Sequence, residues 1–197
     1  MSHHIYTTKA FITHSSFHGE AGRFLLLFTE DFGMIGAFAQ GIRLAKSKLR
    51  FHTQDFSFII SSLVKGKEMW RLTGAHEIVN VDKAKDSIKS NILIKQDILH
   101  IKILKLLKRL LHGEEKNKKL FNIIETLYRS EIEEQDYDNV ECLTVLRILN
   151  SLGYIKEKDF SEFLCDNSFA EEIIDKIKDN KKRIISAINA SLKESQL

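Results

Sequence analysis

A basic segment follows a predicted strand in the first half of the chain. The stretch from Ala37 to Arg50, AFAQGIRLAKSKLR, contains one glycine, four cationic side chains and no acidic side chain. Arginine can bind a phosphate through two parallel hydrogen bonds, and lysine acts as a mobile point charge. The pattern therefore suggests a site for a nucleic-acid backbone, although a solvated surface loop is the commoner explanation on the residues alone. The candidate phosphate ligands are Arg43, Lys46, Lys48 and Arg50.

Other side chains of the same half could extend this site if the fold brings them together. Further cations that could add to the basic surface are Arg23, Arg71 and the turn lysines Lys65 and Lys67. Aromatic rings stack on unpaired bases in many proteins that bind single strands. Three rings are candidates for such stacking, although a core position is the commoner role for each: Phe38, Phe51 and Trp70.

A second basic feature lies on the first predicted helix. Lys102, Lys105 and Arg109 fall on one side of a helical wheel, beside a stripe of leucines. The plain interpretation is a solvated face next to the core. The sharper hypothesis is a groove with an apolar floor and a cationic rim, which would suit an acidic, hydrophobic peptide.

Motifs of the common enzyme classes do not occur in the sequence. It has no Gly-x-x-x-x-Gly-Lys-Ser/Thr loop, Gly-x-Gly-x-x-Gly, Gly-x-Ser-x-Gly or His-Glu-x-x-His. We therefore expect a protein that is not an enzyme. Four acids could in principle gather nuclease metals, but their spacing favours turn or surface roles: Glu20, Glu30, Asp31 and Asp55.

Cysteine and histidine usage gives no strong metal signal. The two cysteines, Cys142 and Cys165, form neither a disulfide framework nor a four-ligand zinc site, and they fit a reducing cytoplasm. His3 and His4 could chelate a metal if Met1 is removed, but a disordered terminus is favoured. The sequence shows neither a secretion signal nor a run of about 18 apolar residues, so we expect a cytoplasmic protein without membrane partners.

Charge is unevenly distributed along the chain. Residues 1–80 contain nine Lys and Arg against six Asp and Glu, whereas residues 81–197 contain twenty-one of each. The excess of +3 therefore lies in the first part, where a local field can attract a polyanion.

The hydrophobic pattern changes near residues 80–84. Before that point, short apolar runs separated by glycine or polar breaks predict five strands, which suggests a small closed barrel. Gly33 is expected to supply the positive φ of a hairpin turn. The order favours an OB-like barrel, although periodicity alone does not separate it from an SH3-like one. The predicted strands cover residues 5–13, 23–29, 34–40, 56–64 and 68–79.

After residue 81 the apolar residues recur with helical spacing. Stripes around residues 99–110, 120–127 and 140–149 predict three helices, with Gly113 and Gly153 as stops for the first and third. Ser168-Phe-Ala-Glu171 has the form of a capping box and predicts the start of a last helix. The expected class is α+β, with an OB-fold nucleic-acid-binding domain at 1–80 and an all-helical domain at 81–197.

Several segments resemble the bacterial recombination-mediator family RecO, in the same order along the chain. In the second half, the stretch from Asp136 to Gly153, which runs into Leu152-Gly-Tyr154, is similar to that family's central helix. In the first half the similar segments are GEAGR at 19–23, FTEDFG at 28–33, AQGIR at 39–43, SKL at 47–49 and the run at 56–63.

The resemblance implies an OB-fold that binds single- and double-stranded DNA, joined to a helical domain. It also implies annealing of complementary strands, binding to the acidic C-terminal tail of single-stranded-DNA-binding protein, and recombinase loading together with RecR. Such a protein would be associated with the nucleoid and would need no cofactor. The tail site does not transfer residue by residue, so its candidates rest on local chemistry: Lys102, Lys105, Arg109 and Arg147.

One departure from the family concerns zinc. Some members carry a four-cysteine module after the helix that ends in Leu-Gly-Tyr, whereas this chain has Cys165 there and Cys142 within the preceding helix. We therefore predict no metal. The alternatives to the RecO interpretation are a generic OB-fold protein that binds RNA or the ribosome, and an adaptor whose basic loop contacts an acidic protein.

Overall fold

The structure, a computed structural model, describes residues 4–78 and 90–194. The chain contacts divide it into two compact units, which are described separately. The barrel unit contains residues up to 85 and residues 104–118, and the helical unit contains residues 86–103 and 119–197. The predicted boundary at residue 80 falls outside the described residues, so the division into domains at that position stays a prediction.

The barrel unit contains five strands, which are β1 (Ile5–His18), β2 (Gly22–Thr29), β3 (Gly33–Ala39), β4 (Phe58–Lys65) and β5 (Trp70–Glu77). They close into a barrel in the order β1-β2-β3-β5-β4, with β3 and β5 parallel and the other neighbours antiparallel. This is the five-stranded Greek-key arrangement of an OB-fold, which confirms the predicted class.

The first strand is longer than the sequence predicts. β1 continues to His18 because its early residues pair with β4 while its later residues pair with β2. The register with β2 shifts between Ile12 and His14, which is a bulge. Because β1 pairs with a strand on each side, it closes the barrel. Residues 14–18 of β1 extend to the end of the barrel where the chain turns into β2.

The barrel core follows the alternation of each strand. Leu25 and Leu27 of β2 pair with Ala37 and Ile35 of β3, respectively. All four side chains are buried in the barrel interior. Ile42, beyond the end of β3, is also buried in this core. Gly33 has a φ of +69°, which confirms its predicted role in the turn between β2 and β3. A side chain at this position would also collide with the backbone of Glu115.

The other regular elements of the described residues are helices. The longer ones are α2 (Ser90–Leu110), α3 (Lys118–Arg129), α4 (Tyr137–Ser151) and α6 (Glu171–Glu194), and two four-residue helices, α1 (Leu49–His52) and α5 (Ser161–Leu164), add to them. Short 3-10 turns cover Glu134–Asp136 and Glu157–Asp159. None of the described helices has the length and apolar character that a membrane span requires.

Helix ends agree with the sequence in one case and differ in another. After α4, Gly153 has a φ of +81°, and the amides of Gly153 and Tyr154 donate to the carbonyls of Asn150 and Leu149, which is a Schellman motif. The predicted capping box at Ser168 is wrong. Both the amide and the hydroxyl of Ser168 donate to Asp166, and α6 begins at Glu171 instead.

Candidate nucleic-acid interface

Five side chains surround a recess of about 360 Å³ in the barrel unit. We call it the basic recess, since three of its lining residues are arginines. It is lined by Phe17, Arg23, Ile42, Arg43 and Arg50. Three of the six predicted DNA-binding cations therefore converge on one concave surface.

Strand pairing brings the first two side chains together. Phe17, near the end of β1, is the direct partner of Arg23 at the start of β2. The Cζ of Arg23 lies 5.5 Å from the centre of the Phe17 ring. Because β1 extends past the predicted end at residue 13, Phe17 reaches this position on a regular strand rather than on a loop.

The segment after β3 is folded back onto the same end of the barrel. The amide of Arg43 donates to the carbonyl of Ala21 at 3.0 Å, which ties this segment to the turn between β1 and β2. Gly41 permits the change of direction with a φ of +68°, and the buried side chain of Ile42 anchors it. The Cζ of Arg43 consequently lies 4.5 Å from the centre of the Phe17 ring.

Arg50 reaches the recess from α1, a four-residue helix that the sequence did not indicate. Leu49 packs against the barrel core, and the hydroxyl of Thr53 donates to the carbonyl of Leu49 at 2.7 Å. The basic segment is therefore a folded connection with apolar anchors at Ile42 and Leu49. Its glycine and lysines alone suggest an open loop, because the short helix depends on packing against the barrel.

Lys46 and Lys48 lie between the two recess arginines in sequence. Both are exposed, and neither lines the recess. Within residues 4–78 and 90–194, no ion pair involves Lys46, Lys48, Arg43 or Arg50. The segment therefore presents unneutralised positive charge. This charge attracts a polyanion, and the four cationic side chains repel one another.

Arg71 and Lys65 lie elsewhere on the barrel. Arg71 is exposed on β5 beside Phe38 of β3, on the outer face, and it does not line the recess. Lys65 pairs with Glu114 at 3.1 Å. The hypothesis that Lys65 adds to the basic surface is therefore not supported, because its charge already has a carboxylate partner.

Aromatic exposure differs from the sequence-based candidates. Trp70 is buried, and its indole N–H donates to Glu114 at 3.0 Å. Phe38 is half-buried, with its ring over Gly22 where a Cβ would lie 2.7 Å away. Phe51, on α1, is 70% exposed. Phe17, on β1, is also 70% exposed, and the sequence analysis missed it. A polar strand end before a glycine turn, SSFHG, was the available signal for Phe17.

Arg23 occupies an unusual position. On β2, Arg23 lies on the same inward face as Leu25 and Leu27, but it is at the end of the strand, where the barrel is open. Its Nε is buried, and among the described residues it has no hydrogen-bond partner. A buried unsatisfied donor costs about 1–3 kcal/mol, so an acceptor brought by a ligand would relieve this cost.

The acids of the first half have structural partners. Asp31 accepts hydrogen bonds from Lys116 and from Thr8, both at 2.8 Å, and these bonds lower the pKa of Asp31. Glu30 pairs with Lys118 at 3.6 Å. Within the described part of the chain, no three His, Cys, Asp or Glu side chains cluster as metal ligands. The turn roles favoured for Glu30 and Asp31 are therefore what the structure shows.

Two candidates for the tail site lie on α2 in the barrel unit. Arg109 is exposed, and the Lys105 ammonium is 5.9 Å from the centre of the Phe56 ring. Lys102 belongs to the helical unit, where Glu141 accepts its hydrogen bond at 2.8 Å and raises the pKa of Lys102. The groove beside Lys102 also contains the acidic side chain of Asp138.

The fourth tail candidate, Arg147, is buried and holds the helical unit together. Its Nε donates to the carbonyl of Phe163 at 2.9 Å and its Nη1 to that of Ser168 at 2.8 Å. Nη2 is 3.5 Å from Asp166, and burial lowers the pKa of Arg147 to about 10. With 2% of its side chain exposed, Arg147 is not available to an acidic tail.

Comparison with known proteins shows what the barrel sequence is similar to. Residues 1–80 match the family described as "Recombination protein O N terminal". A "DNA repair protein RecO" from Dehalococcoides mccartyi is 36% identical over 86 residues, which are 44% of this chain and 34% of that protein. The protein of the same name from Heliobacterium modesticaldum is 28% identical over 156 residues, which are 78% of this chain and 53% of that protein. The chain thus spans between a third and about half of the length of these relatives.

Proposed function

We propose that this chain binds DNA in recombinational repair without being an enzyme, because its first 80 residues match the N-terminal family of recombination protein O. The observation that carries the proposal is the convergence of Arg23, Arg43 and Arg50 on one recess of an OB barrel. Guanidinium groups bind phosphates through paired hydrogen bonds, and these three have no carboxylate partner among the described residues.

Phosphate contacts account for affinity but not for sequence preference. Arg43 and Arg50 hold the backbone at the recess, and the exposed Lys46 and Lys48 add charge along the same segment. Arg71 on the outer face of the barrel would extend this surface for a longer strand. Both single- and double-stranded DNA present the required phosphates.

Strand annealing follows from the same chemistry and needs no nucleotide hydrolysis. Bound cations reduce the repulsion between two phosphate backbones, and base pairing supplies the driving force. In the cell this activity would act on strands coated with single-stranded-DNA-binding protein and, together with RecR, would help to load the recombinase. The names of the relatives support a role in DNA repair.

The acidic tail of single-stranded-DNA-binding protein is proposed to contact α2. Arg109 and Lys105 are the cations that support this proposal, because both are exposed on the same helix. Lys102 contributes less, since its ammonium is already paired with Glu141. Arg147 is left out because its guanidinium is buried.

The test of DNA binding is fluorescence anisotropy of a labelled single strand and of its duplex at low salt. We expect Arg43→Glu with Arg50→Glu to weaken both by at least about 100-fold, since each lost charged contact contributes about tenfold or more. Lys46→Glu with Lys48→Glu should weaken both by a smaller factor, because these side chains do not line the recess.

A matched control is Lys156→Glu with Lys158→Glu, which changes the net charge equally at two exposed positions of the helical unit. We expect this variant to bind DNA within about threefold of the wild type. Equal loss in the control and in the recess variant would mean that total charge, not the recess, determines binding. Tighter binding of an RNA strand of the same sequence would favour the generic RNA-binding alternative.

A further inference from the structure

Phe17 is a large apolar side chain that stays exposed, so it gains little of the stabilisation that burial gives an aromatic residue. Its side chain is 70% exposed, and none of residues 14–18 at this end of β1 is buried. The ring is in contact range of two guanidinium groups, at 4.5 Å for Arg43 and 5.5 Å for Arg23. An exposed aromatic ring beside two cations suits a nucleotide, with the base on the ring and phosphates on the cations.

The recess has room for such a group. Its volume of about 360 Å³ lies within the range of sites that take small ligands. The guanidinium of Arg23 also lines this recess and can donate hydrogen bonds to a ligand. Bases carry acceptor atoms on their edges, and phosphates carry them on every oxygen.

We infer that the basic recess accepts one unpaired nucleobase stacked on Phe17, and that this contact makes the protein prefer single-stranded DNA. The inference rests on the proposed DNA binding and adds a discriminating residue to it. In a duplex the bases are stacked on each other, so no base face is free to stack on a ring at the protein surface. The arginines bind both forms of DNA, whereas Phe17 distinguishes them.

The experiment compares three ligands with the full chain: a single strand, its duplex, and a strand of the same length made of abasic sites. Phe17→Ala should weaken binding to the normal single strand about tenfold, as expected for the loss of one stacked base. Binding to the duplex and to the abasic strand should stay within about twofold of the wild type, because their phosphate contacts are intact. Phe17→Trp should restore binding to the normal strand.

Phe51→Ala is the matched control. Phe51 is equally exposed and follows Arg50 directly, but it does not line the recess. Its removal should not change the ratio of single-strand to duplex affinity. A strand with 2-aminopurine gives a second measurement, since stacking quenches its fluorescence, and we expect quenching by the wild type that Phe17→Ala loses.

Three results would overturn the inference: an unchanged single-strand affinity in Phe17→Ala, an equal loss with all three ligands, or an equal ratio change in Phe51→Ala. Thermal unfolding of each variant checks that the barrel is intact. Should the wild type bind none of the three ligands at low salt, the proposed DNA binding itself is wrong. Binding of all three without a specific role of Phe17 refutes only the stacking.

Discussion

Arginines occupy two contrasting environments in this protein. In the basic recess, Arg43 and Arg50 are exposed, and no carboxylate of the described residues pairs with them. In the helical unit, Arg147 is 2% exposed and donates to two backbone carbonyls, with Asp166 nearby. All three stand next to apolar residues in the sequence, so the pattern of types does not separate them. The acceptors that the fold supplies decide whether an arginine stabilises the protein or remains available to a ligand.

The comparison is tested first by removing the buried arginine. We expect Arg147→Ala to lower the free energy of unfolding of the helical unit by about 3 kcal/mol, because one buried and one partly buried carbonyl lose their donor and a cavity forms. Urea titration followed by circular dichroism measures this change. Arg183→Ala, at an exposed arginine of the same unit that donates to one carbonyl, is the control and should cost less than about 1 kcal/mol.

A smaller effect is expected where cations of the barrel unit already have partners. Glu114 accepts hydrogen bonds from Lys65 and from Trp70, and these lower its pKa; Asp31 is similarly held by Lys116 and Thr8. A carboxyl whose pKa is lower in the folded state stabilises the fold above its unfolded pKa. This stability is present at neutral pH and is lost as the pH falls below about 4.5 through the folded-state pKa values.

Glu114→Gln with Asp31→Asn should therefore reduce stability at neutral pH by about 1 kcal/mol or less, since both carboxylates are partly exposed and screened. Once the pH has fallen below the folded-state pKa values of both carboxyls, the variant and the wild type should be equally stable. Unfolding curves at several pH values measure the difference. A difference that is independent of pH would show that packing, and not charge, determines the loss.

The smallest effect on stability is expected in the basic recess. Arg43→Ala with Arg50→Ala should change the free energy of unfolding by less than about 0.5 kcal/mol, because no carboxylate of the described residues loses a partner. Removal of two neighbouring like charges also removes their mutual repulsion, which favours the folded barrel slightly. A loss as large as that of Arg147→Ala would remove the distinction between the two environments.

The barrel was predictable because its strands carry a local signal. Alternation placed Leu25 and Leu27 inside, and Gly33 marked a turn that needs positive φ. The closure of the Greek key by the parallel pair of β3 and β5 depends on residues far apart in sequence. The number of short strands suggested a closed barrel and the resemblance to RecO implied an OB-fold, but neither predicted which strands form the parallel pair.

The site was predictable only in part. The charge pattern identified Arg43 and Arg50, but Phe17 lies beyond the predicted end of β1 and reaches the recess through pairing with Arg23. Lys65 and Arg147 looked like surface cations, and their partners Glu114 and Asp166 are 49 and 19 residues away. Side-chain pairing over such separations is not visible in a single sequence.

The central claim is that recess cations hold phosphates. The most direct measurement is the dependence of single-strand affinity on salt for the wild type and for Arg43→Ala with Arg50→Ala. If the recess and segment cations each meet a phosphate, the slope of log affinity against log salt should be about −3 to −4 in the wild type. The variant's slope should be shallower by about 1.4, which is two phosphates at 0.7 each. An equal slope in both proteins would contradict the claim, because the counterions released on binding would then come from contacts elsewhere.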